Sequence, residues 1–279
     1  MNSIRKTGLK RQIIDKFYTS HNVAKQCMEY VKHYINIHDN DLCIEPSAGN
    51  GSFISFIKNI FKTYLFLDIQ PEHNEIIKKD FLSFDVVNRD KYNKIHIIGN
   101  PPFGRQSSLA IRFIKKSSQF CDSISFILPK SFKKISLQKH FHLQFHLVFE
   151  YDLPHNSFIV DQHKYDVPCV FQIWIKKTSK RNIPLKQKPN QYYFVKKNEP
   201  HDISFRRVGV YAGCIDTKTL EKSEQSHYFI KFRFPFTNTL YNKLSKIDFD
   251  CKNNTCGPKS ISKQELIKEY NKVISNIEE

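Results

Sequence analysis

The chain has 279 residues, 40% of them hydrophobic and 25% charged, with 44 Lys plus Arg against 27 Asp plus Glu and a formal net charge of +17. That length suits one large domain or one domain with a small companion, and the apolar content is enough for a core, which excludes a disordered chain. The charge points to a polyanionic partner, and AT-rich codon usage does not explain it, because Asp and Glu codons survive in such genes too. Met1 to Asp15 is basic and lacks the apolar centre of a secretory signal. No run approaches ~18 apolar residues, so no membrane span and no membrane partner are expected, and the expected location is the cytoplasm. The seven cysteines form no CxxC pair, which argues against a disulfide framework and a zinc ribbon. Reduced thiols and no bound metal are expected.

From about Val31, short apolar runs alternate with helical stretches. The runs are Leu42-Cys43-Ile44, Tyr64 to Leu67, Ile95 to Ile98, Ile124 to Leu128, Leu147 to Phe149 and Val167 to Trp174. Strands alternating with helices predict an α/β fold with a mostly parallel sheet covered on both faces. The last two runs are separated by Asp152 to Asp166, which reads as a loop, so they are expected to pair antiparallel. The polar, basic stretch from Ser179 to Asn190 carries two prolines and reads as a linker. It divides a domain at 1–180 from a C-terminal α+β region at 181–279. That region contains a predicted strand at Gln191 to Val195, a short run at Val208 to Tyr211 and a helix from Ser262 to Ile277. Ser262 and Glu265 have the spacing of a capping box.

Four segments carry chemistry. Leu42 to Phe53 is a strand that ends at Glu45 and turns through Pro46, Ala48, Gly49 and Gly51, where backbone can approach a nucleotide-like ligand. No Gly-Lys-Ser/Thr follows, which argues against an ATP phosphate loop. A second strand ends at Asp68-Ile69, roughly 20 residues after the glycine turn, where an acid takes ribose hydroxyls. Asp80 followed by Phe81 is placed to hold and cover an adenine ring. The sharpest signal is Ile97-Ile-Gly-Asn-Pro-Pro-Phe-Gly104. A buried strand runs into Asn100, two φ-locked prolines and an aromatic, so the Asn100 side-chain oxygen and the Pro101 carbonyl can both accept from one NH2 group. Phe103 supplies a flat face for a planar base.

Together these residues resemble the class I S-adenosylmethionine-dependent methyltransferases, specifically the N6-adenine DNA methyltransferases. The resemblance covers roughly the first 180 residues and implies a Rossmann-like class I methyltransferase sheet, mostly parallel with an antiparallel last strand. The family's Asp/Asn-Pro-Pro-Tyr/Phe catalytic loop matches Asn100, Pro101, Pro102 and Phe103, with Phe103 in place of the commoner Tyr. Its cofactor loop matches Glu45, Pro46, Ala48, Gly49 and Gly51. Its ribose acid matches Asp68 beside Ile69, and its adenine-side motif matches Asp80-Phe81. The segment Asp15-Lys-Phe-Tyr-Thr19 resembles the part that covers the methionine end of the cofactor, which puts Tyr18 and Thr19 in the cofactor site. Asn100 would border both ligands. The motif order resembles the gamma group. Tyr151 to Phe158, followed by Val167 to Ile175, resembles the family's late hairpin, which makes Phe158 a candidate contact for an extruded base; packing on the sheet is an equal alternative.

The resemblance implies S-adenosyl-L-methionine as cofactor and transfer of its methyl group to the exocyclic amine of a flipped adenine. Residues 104–140 carry eight bases and one acid, directly after the catalytic loop. The family fold would put them at the mouth of the site, with Arg105, Lys130, Lys133 and Lys134 on the substrate backbone. Residues 181–279 carry 18 bases and 11 acids, with Arg206 and Arg207 the clearest candidates for groove or backbone contacts. The extra C-terminal region favours DNA over RNA and leaves room for a cognate restriction endonuclease. The first alternative is an adenine-N6 methyltransferase of the ribosomal-RNA type, which shares the Asn-Pro-Pro-Phe-Gly loop. More remote are protein glutamine methylation, disfavoured by the charge, and a nucleic-acid binding module on an inactive methyltransferase scaffold.

Overall fold

The structure is a computed structural model and describes residues 16–275. Asp15 and the end of the predicted terminal helix lie outside the described residues. The chain divides into two compact units, Met1–Asn182 and Ile183–Glu279.

The first unit contains, in chain order, β1 (Tyr18–Thr19), α1 (His21–Tyr34), β2 (Leu42–Glu45), α2 (Ile54–Lys58), β3 (Thr63–Asp68), β4 (Ile77–Lys78), β5 (Ile95–Gly99), α3 (Ser108–Ser117), β6 (Ser123–Pro129), α4 (Ile135–Gln138), β7 (Phe145–Asp152), β8 (Phe158–Val160), β9 (His163–Tyr165) and β10 (Cys169–Lys176). Seven of these strands form one sheet in the order β4-β3-β2-β5-β6-β10-β7. Strands β4 to β6 pair parallel, and β10 runs antiparallel to both β6 and β7. This is the Rossmann-like, mostly parallel sheet expected from the sequence.

The apolar runs are continuous because both faces of the sheet are covered. Side chains alternate across each strand, so one run feeds two cores. Ile95 and Ile97 join Ala110, Phe113 and Ile114 of α3 on one face. Ile98 joins Val23, Cys27 and Val31 of α1 on the other. The buried positions of α1, which also include Ala24 and Met28, repeat with helical period and form a single stripe.

The chain moves outward from β2 to β3 and β4, then returns to pair β5 on the other side of β2. That reversal is a topological switch point, and the carboxyl ends of the flanking strands form a crevice there. Glu45 and Gly99-Asn100 stand at those two ends.

The last two runs pair antiparallel as expected, with β10 inserted between β6 and β7 by long-range pairing; one feature differs from the sequence reading. Asp152 to Asp166 is not a plain loop: β8 and β9 form a hairpin inside it, and β1 pairs with β8 to complete a second sheet, Thr19 opposite Phe158.

The expected linker is anchored at both ends. The Arg181 guanidinium donates to the carbonyls of Gln138, Phe141, His142 and Phe145 and lies over the Trp174 ring. Within the second unit, Gln187, Lys188 and Asn190 bond to Gln264 and Asn271.

The second unit consists of β11 (Tyr192–Val195), β12 (Ile203–Arg206), β13 (Ile215–Asp216), β14 (His227–Phe232), α5 (Asn238–Ser245) and α6 (Lys263–Ser275). Its antiparallel sheet, ordered β11-β14-β12-β13, shares a core with Leu240, Leu244, Leu266, Tyr270 and Ile274 of the two helices. Ser262 and Glu265 exchange the two capping-box bonds at the start of α6. Val208 to Tyr211 forms no strand. Val208 makes one isolated bridge to Ser260, and Gly209, at φ 99°, turns the chain away. Among the described residues no helix is long and apolar enough to cross a membrane.

At the amino ends of β2, β5 and β6, Asp41 is fully buried and accepts from the His38 and Lys94 backbone and from Asn93. His96 lies 3.2 Å from Asp41 and 2.7 Å from the Ser123 hydroxyl. Burial alone would raise the Asp41 carboxyl, but bonds from the His38 backbone and His96 hold it below the usual range. Burial lowers His96 despite that partner. Both depressed values mean that stability is lost on acidification, as pH falls below the ordinary imidazole and then carboxyl ranges. Asp41→Ala strands several buried donors and should cost about 3 kcal/mol in urea unfolding at pH 7.

Candidate functional site

The switch point brings three expected segments together. The Ala48 backbone N–H donates to the Leu67 carbonyl, and that of Gly49 to Asp68 Oδ2 at 2.8 Å. The Gln70 N–H takes Asp68 Oδ1 at 2.8 Å. Asp68 therefore fixes the glycine turn while keeping lone pairs for further donors. Gly49 (φ 54°) needs the left-handed region, and a Cβ there would lie 3.0 Å from the Tyr18 ring. Tyr18 therefore covers the turn. Its hydroxyl donates to Glu72 Oε1 at 2.5 Å, which also receives Lys16 Nζ at 2.7 Å. Burial, then the bond to Glu72, pushes the Tyr18 hydroxyl up to about 12.

Glu45 and Pro46 are buried at the end of β2. Burial and the nearby charge of Asp68 push the Glu45 carboxyl up to about 8, so it is mostly protonated at pH 7. A Cβ at Gly99 would lie 3.1 Å from Glu45 Cγ, so that glycine lets the ends of β2 and β5 close up.

Asn100 is held on two sides. Its carbonyl accepts from the Ser47 hydroxyl at 3.1 Å, and its Nδ2 donates to the Phe17 carbonyl at 2.8 Å. That leaves Oδ1 buried with no hydrogen-bond partner, as are Thr19 Oγ1 and Glu45 Oε2. Pro101 is buried behind Asn100. The Phe103 carbonyl takes the Leu109 and Ala110 N–H groups and anchors the loop to α3. Gln106 and Ser107 both have positive φ, so the loop exit is strained, as is common beside functional sites.

Several expected site residues are buried in packing contacts, which for Phe158 is the sheet-packing alternative, and others lie at the rim. The Phe103 ring is 8% exposed and faces Phe17 at 6.4 Å and 24°. Phe17 also stacks on Tyr165 and meets Phe158 edge-on. Phe158 is fully buried, so it positions Phe17 and β1 and shows no free face for a base. Phe81 is buried against Phe113 and Phe120 and cannot cover a ligand ring. Asp80 is exposed and accepts from the Leu82 N–H, while Ile69 is 54% exposed at the rim.

The basic run does not form one surface. Lys130 and Lys133 follow the carboxyl end of β6, but both pair with Asp152, at 3.1 and 2.8 Å, and Lys133 also with Glu150 at 3.4 Å. Lys134 sits at the start of α4, and Arg105 is exposed beside the loop. In the second unit, Arg206 Nε donates to the Val208 carbonyl, while Arg207 bonds the Gln225 carbonyl and lies over Tyr228. Sequence reasoning missed Phe17 and Glu72 as site residues. Phe17 lies inside the quoted Asp15–Thr19 motif, but its contacts with Asn100 and Phe103 cross more than eighty residues.

No family model and no curated protein matches the chain. Solved structures do share its path in part. One is a provisionally assigned RNA methyltransferase from Pyrococcus horikoshii, 14% identical over 61% of this chain and 92% of that one, with a TM-score of 0.46. Another is the 23S rRNA methyltransferase ErmE, 11% identical over 59% of this chain and 71% of that one, at 0.44. A third is an rRNA methylase from Streptococcus thermophilus, 15% identical over 61% and 99%, at 0.36. At these identities and scores, the chain's own residues carry the functional reading.

Glu45 gives this site a pH signature. An acid whose folded value is raised loses stability as pH climbs from the ordinary carboxyl range toward 8. Glu45→Gln should therefore gain stability relative to wild type between pH 5.5 and 8.5 in urea unfolding. Parallel curves for the two proteins would show that Glu45 ionises normally.

Proposed function

We propose that the chain is an S-adenosylmethionine-dependent methyltransferase that modifies the N6 amine of adenine in nucleic acid, with DNA as the substrate. The observation that carries this reading is Asn100: its amide nitrogen is held by the Phe17 carbonyl, and its oxygen is buried, unpartnered and next to two φ-locked prolines. An acceptor so placed suits an NH2 group that becomes more acidic as its nitrogen is methylated and then loses one proton.

The residues present also fit the cofactor. Thr19 Oγ1 and Glu45 Oε2 are buried polar atoms without partners at the same end of the sheet, and Gly49 and Tyr18 shape a close backbone approach. Tyr18, Thr19, Glu45 and the turn through Ala48 and Gly51 would hold it, with Asp68 and Asp80 toward its ribose and adenine and Ile69 at the rim. When bound, it supplies an electrophilic methyl group on a sulfonium.

The chain's own part is positioning and charge stabilisation. The N6 lone pair is delocalised into the adenine ring and nucleophilically weak. Asn100 Oδ1 and the Pro101 carbonyl would accept hydrogen bonds from the two amine N–H groups and let the nitrogen pyramidalise toward the methyl. Pro102 stiffens the loop. The product ammonium is acidic and loses its proton without a strong base. Reaching this site requires the adenine to leave its stack, at a cost of a few kcal/mol in a duplex. Phe103 would stack the base on the face that Phe17 now covers, so Phe17 must yield as the base enters.

Arg105 is the exposed cation beside the loop, whereas Lys130 and Lys133 are paired to acids and contribute less to a phosphate track than their sequence position suggests. RNA is the second reading, favoured by one observation: Arg206 and Arg207 each commit one guanidinium nitrogen to a carbonyl, and Arg207 lies over Tyr228, which weakens the sequence argument for groove contacts from the second unit. A cognate restriction endonuclease belongs only to the DNA reading.

Tritiated S-adenosylmethionine incubated with duplex DNA, single-stranded DNA and structured RNA, followed by nucleoside analysis, tests the proposal. Label in N6-methyldeoxyadenosine is expected. Label in RNA alone selects the second reading, and label in cytosine overturns both. Asn100→Ala should lower turnover at least about 100-fold while calorimetry still detects cofactor binding.

A further inference from the structure

Two cations, Lys115 of the basic run and Lys176, lie at the other end of the same sheet. Helix α3 starts after the catalytic loop and runs back to Ser117, so Lys115 lies near the amino ends of the parallel strands. Lys176 ends the antiparallel β10, level with Phe145 at the start of β7 and one residue beyond the pair Ile175–Ser123. His140 and His142 lie in the turn between α4 and β7. These four side chains, with Gln119 and Gln144, line an open pocket of about 420 Å³ with no carboxylate in its wall.

The donors are suited to an anion. The Gln144 backbone N–H donates to His142 Nδ1 at 3.4 Å, which leaves the proton on Nε2. Two ammonium groups and two amide side chains add further donors, and among the described residues none of the four makes an ion pair or side-chain hydrogen bond. Asp122, whose carbonyl accepts from the Lys176 N–H, has one carboxylate oxygen that accepts from Arg89 at 2.7 Å and from the Ile95 N–H at 2.9 Å. Burial, then the charges of Lys139 and Lys115, holds His140 below its ordinary range, as expected where positive potential is uncompensated.

We infer that this pocket binds a phosphate group, at the end of the sheet remote from the catalytic loop. The group is either a backbone phosphodiester of bound nucleic acid or a free phosphate monoester, since both offer the same oxygens to these donors. The inference does not depend on the methyl-transfer reading.

The test is a titration of the full chain with inorganic phosphate, and separately with oligouridylate, which contains no adenine. The His140 and His142 ring signals are followed by NMR in a buffer of constant ionic strength. Saturable shifts with either ligand are expected. Lys115→Glu with Lys176→Glu should weaken the apparent affinity by roughly tenfold or more, while Lys115→Arg with Lys176→Arg should retain it. Saturation by oligouridylate alone identifies the phosphodiester source, and saturation by inorganic phosphate alone identifies the free one. Linear, unsaturated shifts with both ligands, or equal affinity in the charge-reversed protein, would overturn the inference.

Discussion

Parallel pairing of β2 with β5 at the centre of the sheet is the constraint on which the candidate site depends. Leu42 pairs with Ile95 and Ile44 with Ile97, which brings the ends of both strands out side by side. Because the chain reverses direction across the sheet at this pair, neither end is capped by its neighbour's connection. The glycine turn after Glu45 and the proline loop after Gly99 then face one crevice. The Ser47–Asn100 bond joins them directly.

The two ends of these strands treat buried polar groups in opposite ways. At the amino ends, Asp41, His96 and Ser123 satisfy one another and the surrounding backbone. A buried network of that kind holds strand positions, because any shift strands a donor or acceptor. At the carboxyl ends, Thr19, Glu45 and Asn100 each keep a buried atom without a partner. Unmet hydrogen-bonding capacity destabilises a fold, and three of the seven buried side-chain atoms without a partner among the described residues lie beside the switch point, where a ligand could meet them. The raised Glu45 carboxyl reflects the same local desolvation.

Charge follows a third logic. The run after Asn-Pro-Pro-Phe is continuous in sequence, but α3 carries three of its eight bases, Arg112, Lys115 and Lys116, away from that loop. Lys130 and Lys133, just past the carboxyl end of β6, meet Glu150 and Asp152 on β7. An excess of lysine in sequence is therefore not a measure of free positive potential at a site, because the partners arrive from distant strands.

The sequence alone determined the alternating α/β pattern, the antiparallel pairing of the last two runs, the capping box at Ser262 and the Asn-Pro-Pro-Phe loop at a strand end. Each depends on local physics: side-chain period, φ restriction by proline, or a bond across three residues. Tertiary structure alone decided the insertion of β10 between β6 and β7, the hairpin inside Asp152 to Asp166, the Phe17 ring on Phe103 and the burial of Phe81 and Phe158. It also decided which lysines are neutralised. These outcomes compare contacts between residues far apart in the chain, where no local preference distinguishes an aromatic that lines a site from one that fills a core.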